Sequence, residues 1–146
     1  MFRLFNKNAK VYVLNGGLPR WESEKRPLES GEAAPVTTPG HFYVNPDYSM
    51  VRTLDQVLDL IDEYKQGKID FTVIDARPKG RFDGTVPEAR PGLTSGHMPG
   101  SRNIPFSCVA NPEKNFEIRP PEELAKLFAD IKVDLHRKEP IVFSSL

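Results

Sequence analysis

Two stretches of the chain carry a helical hydrophobic period. Leu54, Val57, Leu58 and Ile61 fall on one face, and Thr53-Leu54-Asp55-Gln56 has the form of a capping box. With Gly67 as a C-terminal stop, this spacing predicts a helix over 53–66. Further on, Leu124, Ala125, Leu127, Phe128 and Ile131 share the face of a second helix opened by Pro120-Pro121. Phe71-Thr72-Val73-Ile74 and Pro140-Ile141-Val142-Phe143 are short apolar runs of the kind found in strands buried on both faces of a parallel sheet. Asn103-Ile104-Pro105-Phe106 reads as a short extended piece.

The first third of the chain is less regular. Met1, Phe2, Leu4 and Phe5 are too few for a stable helix and read as the end of one. Val11-Tyr12-Val13-Leu14, closed by Asn15-Gly16-Gly17, predicts a short strand, and Leu18-Pro19-Arg20-Trp21 opens a brief helix. Pro27, Gly31, Pro35, Pro39, Gly40 and Pro46 then make a linker, with Phe42-Tyr43-Val44 as an edge strand within it. A second stretch without periodicity runs over 78–100, and loops of that length inside a domain are functional or disordered.

Composition narrows the classes. A chain of 146 residues suits one domain of ordinary size, or one plus a fragment. Twenty basic residues balance 20 acidic ones, so sequence-independent nucleic-acid binding has no global driving force. One cysteine forbids an internal disulfide, and no Cys/His cluster has zinc spacing, so no metal is expected. No apolar run approaches the ~20 residues that span a bilayer, and no signal-peptide core opens the chain. The expectation is a soluble protein in a reducing compartment.

Candidate chemistry concentrates after the first apolar strand. Asp75-Ala76-Arg77 stands at its carboxyl end, where open α/β sheets bind ligands. From there to Arg102, the bases Arg77, Lys79, Arg81, Arg90 and Arg102 outnumber the acids Asp75, Asp83 and Glu88. A Gly- and Pro-rich turn separates Arg81 from Arg90, so two guanidinium forks facing one cavity would suit a carboxylate or a sulfonate-like group. The plainer reading makes them solvated loop arginines or partners of Asp83 and Glu88. His97, inside Gly96-His97-Met98-Pro99-Gly100, is either a base or ligand or a structural hydrogen-bonder to backbone. Asp75 has the same ambiguity and is ranked structural, tying down the loop that follows it.

The segments Val13-Leu14-Asn15-Gly16-Gly17-Leu18-Pro19-Arg20-Trp21, Ile74-Asp75-Ala76-Arg77, Gly80-Arg81-Phe82-Asp83-Gly84-Thr85, Ser95-Gly96-His97-Met98-Pro99-Gly100-Ser101-Arg102-Asn103-Ile104-Pro105-Phe106 and Pro121-Glu122-Glu123-Leu124 resemble, in order, those of the rhodanese superfamily. The resemblance is specifically to its two-domain thiosulfate and 3-mercaptopyruvate sulfurtransferases. It implies an α/β fold, a mainly parallel sheet with helices on both faces, incomplete at the C-terminus. It also implies that 1–26 is the tail of an N-terminal rhodanese domain, 27–46 an interdomain linker, and 47–146 a C-terminal rhodanese domain cut at its nucleophile strand.

In that family the position of Arg81 binds substrate, and an arginine at Arg90 is typical of the mercaptopyruvate branch. The catalytic cysteine ends the strand that begins here at Pro140, which places Ser145 at its position. Serine cannot form a persulfide, and Cys108 lies where the family does no catalysis, as a small packing residue. The resemblance thus implies a sulfurtransferase that moves a sulfane sulfur through a cysteine persulfide, without a cofactor. Its donor would be a small anionic sulfur compound, and its acceptor a thiol such as thioredoxin or glutathione, in cytoplasm or mitochondria. This chain by itself is expected to be inactive. The alternative is a non-catalytic rhodanese module that binds anions or partner proteins.

Overall fold

The computed structural model describes every residue except 1, 7, 9, 36, 39, 42, 137, 139 and 146. In chain order the elements are α1 (Phe2–Phe5), α2 (Gly17–Ser23), α3 (Leu54–Lys65), β1 (Thr72–Asp75), α4 (Lys79–Phe82), β2 (Arg102–Asn103), β3 (Ala110–Asn111), β4 (Glu117–Ile118), α5 (Pro121–Asp130) and β5 (Ile141–Ser144). Single 3-10 turns lie at Tyr48–Met50, Phe106–Cys108 and Pro112–Lys114.

The expected α/β arrangement is present as a parallel sheet in the order β2-β1-β5. β1 is central because all four of its residues are buried, from Thr72 at 0% exposure to Asp75 at 2%. An unbroken apolar run buried on both faces needs neighbours on both edges. Thr72 to Asp75 pair with Ile141 to Ser144 on one side, and Ile74 and Asp75 with Arg102 and Asn103 on the other.

α3 covers this strand. Its Ile61 packs with Phe71 and Val73, and Val57, Leu60, Ile69, Met98 and Val142 close around them. The predicted capping box is formed. Thr53 Oγ1 accepts from the Gln56 N–H at 3.3 Å, and Gln56 Oε1 accepts from the Thr53 N–H at 3.0 Å. α5 starts with Pro at its first position as expected, with Leu124, Leu127 and Phe128 half-buried.

Several local expectations fail for identifiable reasons. Val11 to Leu14 form no strand among the described residues, and Tyr12 and Val13 are 84% and 82% exposed. A β-branched run has nothing to hold it extended without a ladder partner. In the expected edge strand Phe42 lies outside the described residues, while Tyr43 and Val44 pair with nothing as strand; the bridge forms one step later, between Asn45 and Asn6. A hairpin of β3 and β4 follows Cys108, with antiparallel pairs Ala110–Ile118 and Asn111–Glu117. Its strands have two residues each, too short for any hydrophobic period. The α2 turn is fastened to it: Asn15 Oδ1 accepts from the Ile118 N–H at 2.8 Å, and Arg20 lies 3.4 Å from Glu117.

Candidate functional site

The parallel strands deliver their carboxyl ends to one place. Beyond the ladder, the Ala76 N–H donates to Ser144 O at 2.8 Å, the Ile104 N–H to Asp75 O at 3.1 Å, and the Phe106 N–H to Ala76 O at 2.9 Å. Asn103 adds two bonds from Nδ2, to Asp75 O at 2.9 Å and Arg77 O at 2.8 Å. Residues 75–77, the start of the long loop, are therefore held from both neighbouring strands.

Asp75 grips Arg77. Its Oδ1 accepts from the Arg77 N–H at 2.9 Å and from Nε at 3.0 Å, and its Oδ2 accepts from Nη2 at 2.5 Å. The guanidinium then spans to the far side of the loop, with Nη1 on Glu88 Oε1 at 2.6 Å and Nη2 on Gly96 O at 2.7 Å. Glu88 Oε2 in turn takes Nε of Arg81 at 2.9 Å and also its Nη2. The result is a line of alternating charge, Asp75–Arg77–Glu88–Arg81, in which the Asp75 and Glu88 side chains are each 2% exposed.

Electrostatics keep both acids ionised. Burial pushes the Asp75 carboxyl upward more strongly than any one contact, but the Arg77 side-chain bonds, backbone N–H and charge together hold it below its usual range. The Arg81 hydrogen bond is the chief influence lowering Glu88, with burial opposing and Arg77 assisting. The bond to Asp75 raises Arg77 further. Neither carboxyl is tuned to give up a proton near neutral pH. Their chemistry here is to hold arginines in place.

Glycines let this loop close on itself. A Cβ on Gly80, inside α4, would stand 2.8 Å from Val86 Cγ2, so the chain can return this closely over the helix because the residue there is glycine. Gly84, at φ 75°, lies against Gly96, and the Gly96 N–H reaches Arg81 O at 3.4 Å. His97 stacks on Phe82 at 3.9 Å between ring centroids and 8° between planes, with Nδ1 at 2.8 Å from Phe82 O.

Asp75, Arg77, the segment from Thr94 to Met98, and Ser144 enclose a cavity of about 350 Å³. Ser145, exposed, is the next residue beyond its wall. Of the residues singled out in the sequence, Asp75 and His97 line this cavity; Arg81 does not line it and is linked to its wall only through Glu88 and Arg77. Arg90 is exposed, carries no hydrogen bond or ion pair to other described residues, and is not among the lining residues. Cys108 is half-buried in a separate crevice of about 560 Å³ beside Arg119. Among the described residues no group of three His, Cys, Asp or Glu could hold a metal ion.

The plainer reading of the sequence, which offered Glu88 as a partner of the loop arginines, holds for Arg81, but Arg77 as the link between Asp75 and Glu88 was missed. Glu88 stands seven residues after Arg81 and 11 after Arg77, and neither separation has a periodic signature in a loop. The available signal was the local charge count together with the strand-end position of Asp75.

No protein-family model matches the chain. Individual proteins do. Over 137 residues, 94% of this chain, it is 39% identical to 3-mercaptopyruvate sulfurtransferase of Rattus norvegicus, of which the match covers 43%. Over 143 residues, 97% of the chain, it is 39% identical to thiosulfate sulfurtransferase of Cricetulus griseus, covering 44% of that protein. The chain thus spans less than half the length of the curated relatives it matches. Among solved structures, the 3-mercaptopyruvate sulfotransferase SseA of Escherichia coli, described as having the rhodanese fold, superposes with a TM-score of 0.76 at 29% identity, over 97% of this chain and 47% of that one. A parallel sheet whose strand ends meet at a charge-lined cavity, together with these likenesses over nearly its whole length, shows that the chain has the rhodanese fold and is related in sequence to the 3-mercaptopyruvate and thiosulfate sulfurtransferases.

Proposed function

We propose that residues 1–146 form the donor-binding part of a sulfurtransferase of the 3-mercaptopyruvate/thiosulfate type. The observation that carries this reading is the meeting of the β1 and β5 carboxyl ends at one cavity, with Ser144 on its wall and Ser145 next in the chain. In the reaction, a cysteine thiolate at the position of Ser145 attacks the sulfur of a small anionic donor. Sulfite leaves from thiosulfate, or pyruvate from 3-mercaptopyruvate, and the sulfane sulfur stays on the cysteine as a persulfide until a thiol such as thioredoxin or glutathione takes it. Arg81 and Arg90 are the arginines assigned to the donor's anionic end, whose carboxylate or sulfonate-like group a guanidinium fork can match.

The chain as given is proposed to be inactive, because a serine hydroxyl holds no sulfane sulfur. Segment 1–26 is read as the tail of an N-terminal rhodanese domain, 27–46 as the interdomain linker, and 47–146 as part of the C-terminal domain, working in cytoplasm or mitochondria. Among the described residues no helix is long and apolar enough to cross a membrane. The serine at 145 favours one second reading, a rhodanese module that binds anions or partner proteins without turnover.

A chimera tests the main reading. Residues 1–144 are joined to the cysteine-bearing remainder of the rat 3-mercaptopyruvate sulfurtransferase, and the intact mass is followed after exposure to each donor. A one-sulfur increase is expected with the cysteine present and none when serine is kept at 145. A folded chimera that takes up no sulfur from either donor sinks the enzymatic reading and leaves the binding module.

A further inference from the structure

We propose that Glu88 is a positioning residue for the donor, setting the plane of the Arg81 guanidinium so that the arginine meets an anion already oriented. The inference rests on the reading of Arg81 as a donor-binding arginine and adds the residue that makes it competent. An arginine side chain has several torsions to freeze before its planar fork can match a carboxylate or sulfonate, and freezing them at the moment of binding costs affinity. Here Oε2 of Glu88 takes both Nε, at 2.9 Å, and Nη2 of Arg81, which fixes the guanidinium plane in advance.

Glu88 can do this because it is itself immobilised. Its other oxygen receives Nη1 of Arg77 at 2.6 Å, and Arg77 is bound through Nε and Nη2 to Asp75, which sits at 2% exposure in the central strand. The position of Arg81 is thereby referred, through two ion pairs, to the most buried strand of the sheet. Exposed ion pairs do not have this property, since water and rotamer freedom compete with them. The Glu88 side chain is 2% exposed, and that of Arg81 is 19% exposed.

The proposal makes a prediction opposite in sign to that of simple charge balance. If Glu88 acted only as a negative charge beside the site, removing it would strengthen anion binding, because a repelling carboxylate would be gone. If it positions Arg81, removing it weakens binding despite the added net positive charge. Glu88→Gln separates the two, because it keeps the size and one carbonyl acceptor but lacks the charge that draws both arginines.

The test uses the 146-residue chain, with thiosulfate and pyruvate as separate probes, titrated by calorimetry and by ¹⁵N–¹H NMR of the arginine Nε–Hε signals. The expected result is that Glu88→Gln weakens thiosulfate binding about tenfold, comparable to losing one well-oriented charge-assisted hydrogen bond. The Arg81 Nε–Hε signal should also lose its protection from exchange. Arg81→Gln should weaken binding at least as much, and the double variant no more than Arg81→Gln alone, because the carboxylate acts only through that arginine. Glu88→Asp, which keeps the charge but retracts the carboxylate, guards against misfolding and should lie between the unaltered chain and Glu88→Gln. Tighter or unchanged binding in Glu88→Gln, with Arg81→Gln weakened, overturns the positioning role alone. Binding that is absent from the unaltered chain, or indifferent to Arg81→Gln, overturns the donor-site reading and the inference with it.

Discussion

Two crevices of this protein hold arginine in opposite ways. At the carboxyl end of β1, Arg77 and Arg81 are tied to Asp75 and to Glu88 in a line whose acids are each 2% exposed. In the crevice beside Cys108, Arg119 pairs with Glu123 and Lys126 with Asp130, each four residues apart on or next to α5, with side chains from 31% to 72% exposed. The first arrangement reaches across a loop and depends on the fold. The second makes both of its ion pairs within one helical turn, between side chains at least 31% exposed. A crevice with a cysteine and an arginine is thus not equivalent to a site: the order comes from burial and from partners distant in sequence.

The contrast is broken most forcefully at Arg77. Arg77→Ala leaves the Asp75 carboxylate buried without its counter-charge and strips Glu88 of one partner, so it should destabilise the chain by about 3 kcal/mol. Thermal or urea unfolding against the unaltered chain measures this, and a loss below about 1 kcal/mol would place the pair with ordinary surface bridges.

The next effect is on chemistry and separates the clamped arginine from the exposed one. In the chimera that carries the cysteine, Arg90→Gly should lower kcat/KM for 3-mercaptopyruvate about 10–100-fold, in line with losing a charge-assisted bond worth roughly 1.5–3 kcal/mol. Thiosulfate turnover should fall less, because a carboxylate presents two oxygens in a plane that a second guanidinium matches, whereas a tetrahedral dianion is held by one arginine and the active-site loop. Arg81→Gly should damage both. Equal loss of both activities in Arg90→Gly removes the mercaptopyruvate assignment.

Acid sharpens the comparison at smaller amplitude. Asp75 and Glu88 have depressed folded-state pKa values, so the stability they contribute is present above their unfolded values and is lost as pH falls through the folded ones. A denaturant midpoint that is flat from pH 7 to about 5 and drops below about pH 4 is expected. The drop should shrink in Glu88→Gln, and an identical profile in that variant would assign it to other carboxylates.

The smallest effect is predicted in the other crevice. Arg119→Ala should cost less than about 1 kcal/mol, since its ion pair is solvent-exposed and only its 2.9 Å bond to Cys108 O lies partly buried.

What could be read from the sequence follows the range of the interaction involved. The α3 cap and β1 were legible because a capping box and an apolar run are local, and both are in place. The strand expected at Val11 to Leu14 was local evidence without a partner, and Tyr12 and Val13 stand exposed. The β3–β4 hairpin was invisible: its strands have two residues each, and its turn puts Asn115 and Phe116 at positive φ, which no glycine announces. At the site, Asp75 and the surplus of arginines could be seen, but the choice of Glu88 as the shared partner of Arg77 and Arg81 depends on how the 78–96 loop folds back, through Gly80, Gly84 and Gly96.

The most direct test of the central claim, that the nucleophile's place in this chain is held by Ser145, is sulfur transfer to cyanide by residues 1–146. It should be measured with thiosulfate and with 3-mercaptopyruvate, with and without Cys108→Ser. Background rates are predicted for both donors and both proteins, because a serine carries no sulfane sulfur and Cys108 lies in a different crevice from the strand-end cavity. Turnover accompanied by a persulfide on Cys108, and abolished by Cys108→Ser, would contradict it.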